Sequence, residues 1–173
     1  VVYRPFCTSV YGQGLSTGVG NASLLRGLEE TVGYFINKGS MIYRIADNII
    51  SPLGETTEQN YLAVKAGRSA LRRYENQWDI PEPFTASLLT EAQNEALAVE
   101  GLTRFESLAY TSVKKAIEAS DIDVTAANVI FILSTTKGNI EQIFDNQDDT
   151  AIYPGTAAKH IAERLGIQTK PIR

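Results

Sequence analysis

At 173 residues with 43% apolar content, the chain is long enough for one substantial core. Its net charge of −4 gives no electrostatic footprint for nucleic acid, and its longest apolar run, Val129 to Leu133, is far too short to span a bilayer. Cys7 is the only cysteine, so no internal disulfide can form, and a reducing, cytoplasmic setting is favoured.

The first residue is not Met, the sole Met is Met41, and the opening residues lack the basic-then-apolar pattern of a secretory signal. Residues 1–40 therefore read as an N-terminal extension or a fused segment, and residues 41–173 as the main domain. Val1 to Tyr11 is aromatic-rich and strand-like. The glycine-rich stretch Gly12 to Gly20 follows, and Asn21 suits a helix N-cap. Leu24, Leu25, Leu28, Val32, Phe35 and Ile36 recur at helical spacing and Gly39 is a natural stop, which predicts a helix over 22–38. Its apolar stripe is a candidate cover for apolar surface elsewhere.

From Met41 onward strands and helices alternate. Met41 to Ala46 reads as a strand, and Pro52 and Gly54 punctuate a turn. Thr56 with Gln59 predicts a capped helix through Ala66 that stops at Gly67. Arg68 to Pro83 is polar and proline-punctuated, hence a loop. Phe84 to Leu89 reads as a short strand or hairpin arm, and 90–100 is rich in helix formers. The most regular stripe is Phe105, Leu108, Ala109, Ser112, Val113, Ala116 and Ile117, which places a helix over 104–119 capped by Thr103 and Glu106. Val129 to Leu133 is apolar on both faces, as in a central strand of a parallel sheet covered by helices. Ala158, Ile161, Ala162 and Leu165 predict a helix after Pro154 that ends at Gly166, and 167–173 approaches another strand. This alternation argues for a layered α/β fold.

Several residue types invite a chemical reading. Gly12, Gly14, Gly18 and Gly20 before a helix start suggest an anion cradle, but the Gly-Lys-Ser/Thr ending and the dinucleotide spacing are absent, so a linker is preferred. His160 is the only histidine. It lies beside Lys159, off the apolar stripe, and reads as a surface residue, since one histidine does not make a metal site. Thr135 to Asn139 follows a strand at the end where α/β sheets bind ligands, and is read as structural. Lys65, Arg68, Arg72 and Arg73 form a basic cluster, which Glu75, Asp79 and Glu82 convert into a mixed solvated loop. Asp145, Asn146, Asp148 and Asp149 have the acidity of a calcium loop without its glycine or terminal glutamate. No catalytic, cofactor-binding or metal-ligating residue is assigned.

One resemblance joins these pieces. Ile50-Ser51-Pro52-Leu53-Gly54, Ala66-Gly67-Arg68-Ser69, the helix from Thr103-Arg104-Phe105 through Ala119, and Asp121-Ile122-Asp123 stand in register. So do Val129 to Leu133 with its Ser134-Thr135-Thr136-Lys137-Gly138 exit, and Ala157 to Pro171. Together they resemble the N-terminal half of a β-ketoacyl-(acyl carrier protein) synthase. The resemblance implies the first half of a thiolase-like fold and a decarboxylative Claisen condensation of acyl and malonyl thioesters, in fatty-acid or polyketide synthesis. It also implies an acyl carrier protein as partner, a homodimer or association with a C-terminal half, and no cofactor. In such enzymes a cysteine nucleophile lies shortly beyond the position of Pro171 and two histidines follow later, so this chain is expected to be inactive alone. A non-catalytic ketosynthase-like scaffold is the alternative, and an independent small-ligand α/β domain is a third reading.

Three departures stand out. Ala46-Asp47-Asn48 replaces a glycine-rich turn, Thr103 occupies a position that is usually acidic, and Glu82-Pro83 precedes a strand without Lys or Arg where some relatives dock the carrier. Cys7 precedes the resembling segment with no base near it in sequence, and reads as a structural thiol rather than the condensing nucleophile.

Overall fold

The computed structural model describes residues 6–14, 41–143 and 149–172. The helix expected over 22–38, residues 15–20 of the glycine-rich stretch, and Asp145, Asn146 and Asp148 lie outside the described residues. Among the described residues the architecture is mixed α/β, with two separate two-stranded antiparallel sheets and four α-helices. No helix among the described residues is long and apolar enough to cross a membrane.

The first sheet pairs β1 (Phe6–Gly14) with β2 (Met41–Ile50) from Phe6↔Ile50 to Gly14↔Met41, with a register shift between Val10 and Tyr11. A strand preceding residue 40 is thus hydrogen-bonded along the whole of β2. The expected strand 41–46 runs four residues further, because its last residues are drawn into contact with the helix layer. Ser51 and Gly54 then close a tight turn through reciprocal backbone bonds of 2.9 and 3.0 Å. Thr56 caps α1 (Thr57–Lys65) by accepting from the Gln59 N–H, while the Gln59 side chain reaches back to the Glu55 N–H at 2.7 Å. Gly67, at φ 71°, donates to Val64 and Arg68 donates to Ala63, a left-handed stop that only glycine adopts without strain.

The loop expected over 68–83 is corrected. It contains β3 (Leu71–Tyr74), paired antiparallel with β4 (Phe84–Ser87) from Leu71↔Ser87 to Tyr74↔Phe84. What holds this polar strand is aromatic: Phe84 stacks on Tyr74 at 5.5 Å and on Trp78 at 5.7 Å. Thr90 and Gln93 form a full capping box at the start of α2 (Glu91–Ala96).

The longest helix among the described residues is α3 (Arg104–Glu118), started by the Thr103–Glu106 capping box as the sequence indicates. It packs on β1, β2 and α4 (Pro154–Leu165). Ala109 and Val113 meet Ala158, Ile161 and Ala162 of α4 together with Phe131 and Leu133, which forms the main core. Leu108 joins Ile50 and Leu97 in a second cluster. A polar brace fixes the helix to β2: Asn48 Nδ2 donates to Ser112 Oγ at 3.2 Å and to the Glu55 carbonyl at 3.1 Å, and Lys115 Nζ meets Glu55 Oε2 at 2.7 Å. Gly166, at φ 77°, ends α4 where the sequence places the stop.

Residues 129–133 differ from the expected fully covered central strand. Phe131 and Leu133 are buried, whereas Ile130 and Ile132 are 59% and 65% exposed. The segment makes one parallel bridge, Ile132↔Ile172, held by Leu133 N–H to the Ile172 carbonyl at 2.9 Å and Ile172 N–H to the Phe131 carbonyl at 2.8 Å. In β2, Asn48 and Ile50 are buried toward α3. The register shift skips Ile45, so the alternation does not carry across it, and Tyr43 and Ile45 near the start of the strand are exposed beside the Arg44–Asp47 ion pair. The 129–133 segment therefore has one side packed into the core and, at Ile130 and Ile132, one exposed apolar side.

Candidate functional site

The chain order Thr103, Glu106, Asn139, His160 converges at the N-terminus of α3. Glu106 is the third residue of that helix, and its side chain is 1% exposed. A buried carboxylate survives only where donors surround it. Here Oε2 accepts the Thr103 N–H at 3.0 Å, and Oε1 accepts from Asn139 Nδ2 at 2.9 Å and faces His160 Nδ1 at 2.9 Å. The last contact is a hydrogen bond between the ring and the carboxyl group whose donor depends on the ring tautomer.

Asn139 is the hub. It is 1% exposed, and its Nδ2 also donates to the Ala151 carbonyl at 3.0 Å, while Oδ1 accepts from Thr103 Oγ1 at 2.7 Å. The turn before it explains how it arrives there. Thr135 Oγ1 accepts from the Lys137 and Gly138 N–H groups, and Gly138 adopts φ 53°. A Cβ at Gly138 would lie 3.4 Å from the Ile152 carbonyl oxygen, so the turn presses closely on the segment before α4. Glu141 adds a second anion at the same helix start, accepting from the Phe105 N–H at 3.4 Å and meeting Arg104 Nε at 3.4 Å.

Chemically the cluster is a histidine–carboxylate pair whose neighbours are fully engaged. The Thr103 hydroxyl donates to Asn139 and accepts from the Glu106 N–H, so it is no free nucleophile. What the four side chains accomplish is mechanical: they tie α3, the Thr135–Asn139 turn and α4 to one buried point. The structural reading of Thr135–Asn139 thus has a geometric basis. His160 is 45% exposed, as a surface residue should be, yet its partnership with Glu106 is not visible from sequence. The one signal in the sequence was the capping box, which already placed an acceptor side chain at Glu106.

Other singled-out residues lie elsewhere. Cys7 is in β1, in register with Ile49. Gly12 and Gly14 belong to the same strand, so part of the supposed cradle is ladder. In the basic cluster, Arg73 pairs with Glu75 at 2.9 Å, Lys65 Nζ sits 5.7 Å from the Tyr61 ring centroid, and Arg72 belongs to β3 rather than to a loop. Asp149 opens a short 3₁₀ helix, Asp149–Ile152. Among the described residues no group of three or more His, Cys, Asp or Glu side chains is placed to hold a metal ion. Comparison with protein-family models, with curated proteins and with solved structures gave no match.

Proposed function

We propose that residues 41–173 are the N-terminal part of a β-ketoacyl-(acyl carrier protein) synthase-like condensing enzyme. They would form the first half of a thiolase-like fold acting in the cytoplasm on acyl and malonyl thioesters. The observation that carries this reading is an ordered succession of elements. Strand β2 runs into the Ser51–Gly54 turn and the glycine-stopped α1; α3 follows, and residues 129–133 return in parallel to Ile172 after α4. A parallel return across a helix is the unit from which layered α/β folds are built.

The exposed apolar side of 129–133 supports the same reading, because a layered fold covers both faces of such a strand. In this view the chain supplies scaffold, its companion is a further half-domain or a second copy, and an acyl carrier protein delivers substrate. The internally satisfied Glu106–Asn139 network favours a bracing role for this segment, which also suits a non-catalytic ketosynthase-like subunit.

The test is a condensation assay with acyl- and malonyl-carrier thioesters, run on the assembly purified from its native source and on the isolated chain. The expected result is a 3-oxoacyl product from the assembly and none from the chain alone. An assembly that holds acyl carriers but forms no product assigns the scaffold role. One that neither binds nor processes acyl thioesters ends the reading.

A further inference from the structure

An open cavity of about 630 Å³ lies between α1 and the β3–β4 hairpin, within the size range of small-molecule sites. Leu53, Tyr61, Val64, Leu71, Leu89 and Leu108 supply its apolar walls, and Tyr61, Val64 and Leu71 are 61%, 64% and 63% exposed. Several of its polar side chains bond within the protein. Asn60 Nδ2 donates to the carbonyls of Ile49, Gly54 and Thr56 at 2.8–3.0 Å, and its Oδ1 accepts from Ser51 Oγ. Ser69 Oγ accepts the Leu71 N–H at 3.2 Å. The floor thus offers a ligand contact surface but few free hydrogen-bonding groups.

Charge is placed at one end. Among the described residues lining the cavity, Arg68 is the only charged one and none is Asp or Glu. Arg68 makes no ion pair among the described residues. Its backbone is fixed by the left-handed Gly67 before it and by its own N–H bond to Ala63 at 2.9 Å. Lys65 adds positive charge nearby, over the Tyr61 ring that forms part of the wall. The carbonyls of Leu62, Ala63 and Val64 at the end of α1 are already capped, which blunts the negative end of the helix beside Arg68.

We propose that this cavity binds a free single-chain carboxylic acid, with its apolar tail along Tyr61, Val64 and Leu71 and its carboxylate on the Arg68 guanidinium. The site stands on the groove and its charge alone and does not depend on the condensing-enzyme reading. A bidentate guanidinium–carboxylate contact at the rim sets the head-group preference, and the walls set the tail preference.

The experiment is calorimetric titration of the full chain with dodecanoate below its micellar concentration. Dodecyltrimethylammonium and vesicles containing anionic lipid serve as comparison arms. Saturable binding of dodecanoate is expected, with no binding of the cationic analogue. Arg68→Ala should weaken it by about fivefold, the scale of an exposed ion pair. Val64→Glu, at an exposed helix position, should abolish it, and Arg72→Ala should leave it unchanged. Absent saturation, equal binding of the cationic analogue, indifference to Arg68→Ala, or binding to vesicles alone would each overturn the assignment.

Discussion

Asn139 Nδ2 donates to Glu106 Oε1 at 2.9 Å, joining two side chains that are each about 1% exposed and 33 positions apart in the chain. Truncating Asn139 to Ala strips a donor from a buried carboxylate and also leaves Thr103 Oγ1 and the Ala151 carbonyl without their partner. The expected cost is about 2–4 kcal/mol, because buried polar groups left unsatisfied are expensive. Urea unfolding of Asn139→Ala measures it. A change below about 0.5 kcal/mol would show that the hub does not hold the three elements together.

Two capping boxes permit an internal comparison. The Thr90 hydroxyl bonds only within its own box, to Gln93, whereas the Thr103 hydroxyl also donates to Asn139 Oδ1. Thr90→Ala should cost about 1 kcal/mol, the usual value of an N-cap. Thr103→Ala should cost about twice that, since a buried acceptor also loses its donor. Equal losses in thermal or urea unfolding would detach Thr103 from the buried network.

Gly54 closes the Ser51 turn against the first turn of α1, and a Cβ there would sit 2.5 Å from the Gln59 Cβ. That contact is with the stem of a side chain rather than a flexible tip, so the turn or the helix must move. Gly54→Ala is expected to destabilise by about 1–3 kcal/mol. An unfolding midpoint unchanged from wild type would contradict the close packing.

Asp123 provides the pH prediction. Hydrogen bonds from the Thr125 hydroxyl, at 2.6 Å, and the Thr125 N–H, at 2.9 Å, hold its carboxyl below the ordinary value of 3.8. A carboxyl pKa depressed by folding adds stability above the unfolded value, and that stability is lost as pH falls through the folded one. Thr125→Val removes the larger influence, so the Asp123 carboxyl should titrate closer to 3.8 in an NMR titration of the variant. Titration curves that coincide would remove the hydroxyl as the cause.

Local signals carried much of the fold. The N-caps at Thr56 and Thr103 and the stops at Gly67 and Gly166 each depend on residues within one helical turn, so the sequence displays them directly. Strand β3 was hidden because Leu71-Arg72-Arg73-Tyr74 has no apolar alternation of its own, and its support comes from Phe84 and Trp78 across the hairpin. The Glu106 cluster was hidden for a similar reason, since Asn139 and His160 reach it over 33 and 54 positions. At 129–133 the sequence signalled burial on both faces, and the structure covers only Phe131 and Leu133.

The exposed Ile130 and Ile132 are where the proposed companion would sit, since clustered exposed apolar side chains mark interaction sites. Sedimentation velocity of the full chain, wild type beside Ile130→Lys/Ile132→Lys, together with binding of a dye specific for apolar surface, tests this need most directly. The expected result is that wild type sediments as a species heavier than the 18.9 kDa monomer, and that the doubly charged variant dissociates. A wild-type protein that stays a dye-negative monomer, or a variant that associates as wild type does, would contradict the requirement for a companion on that face.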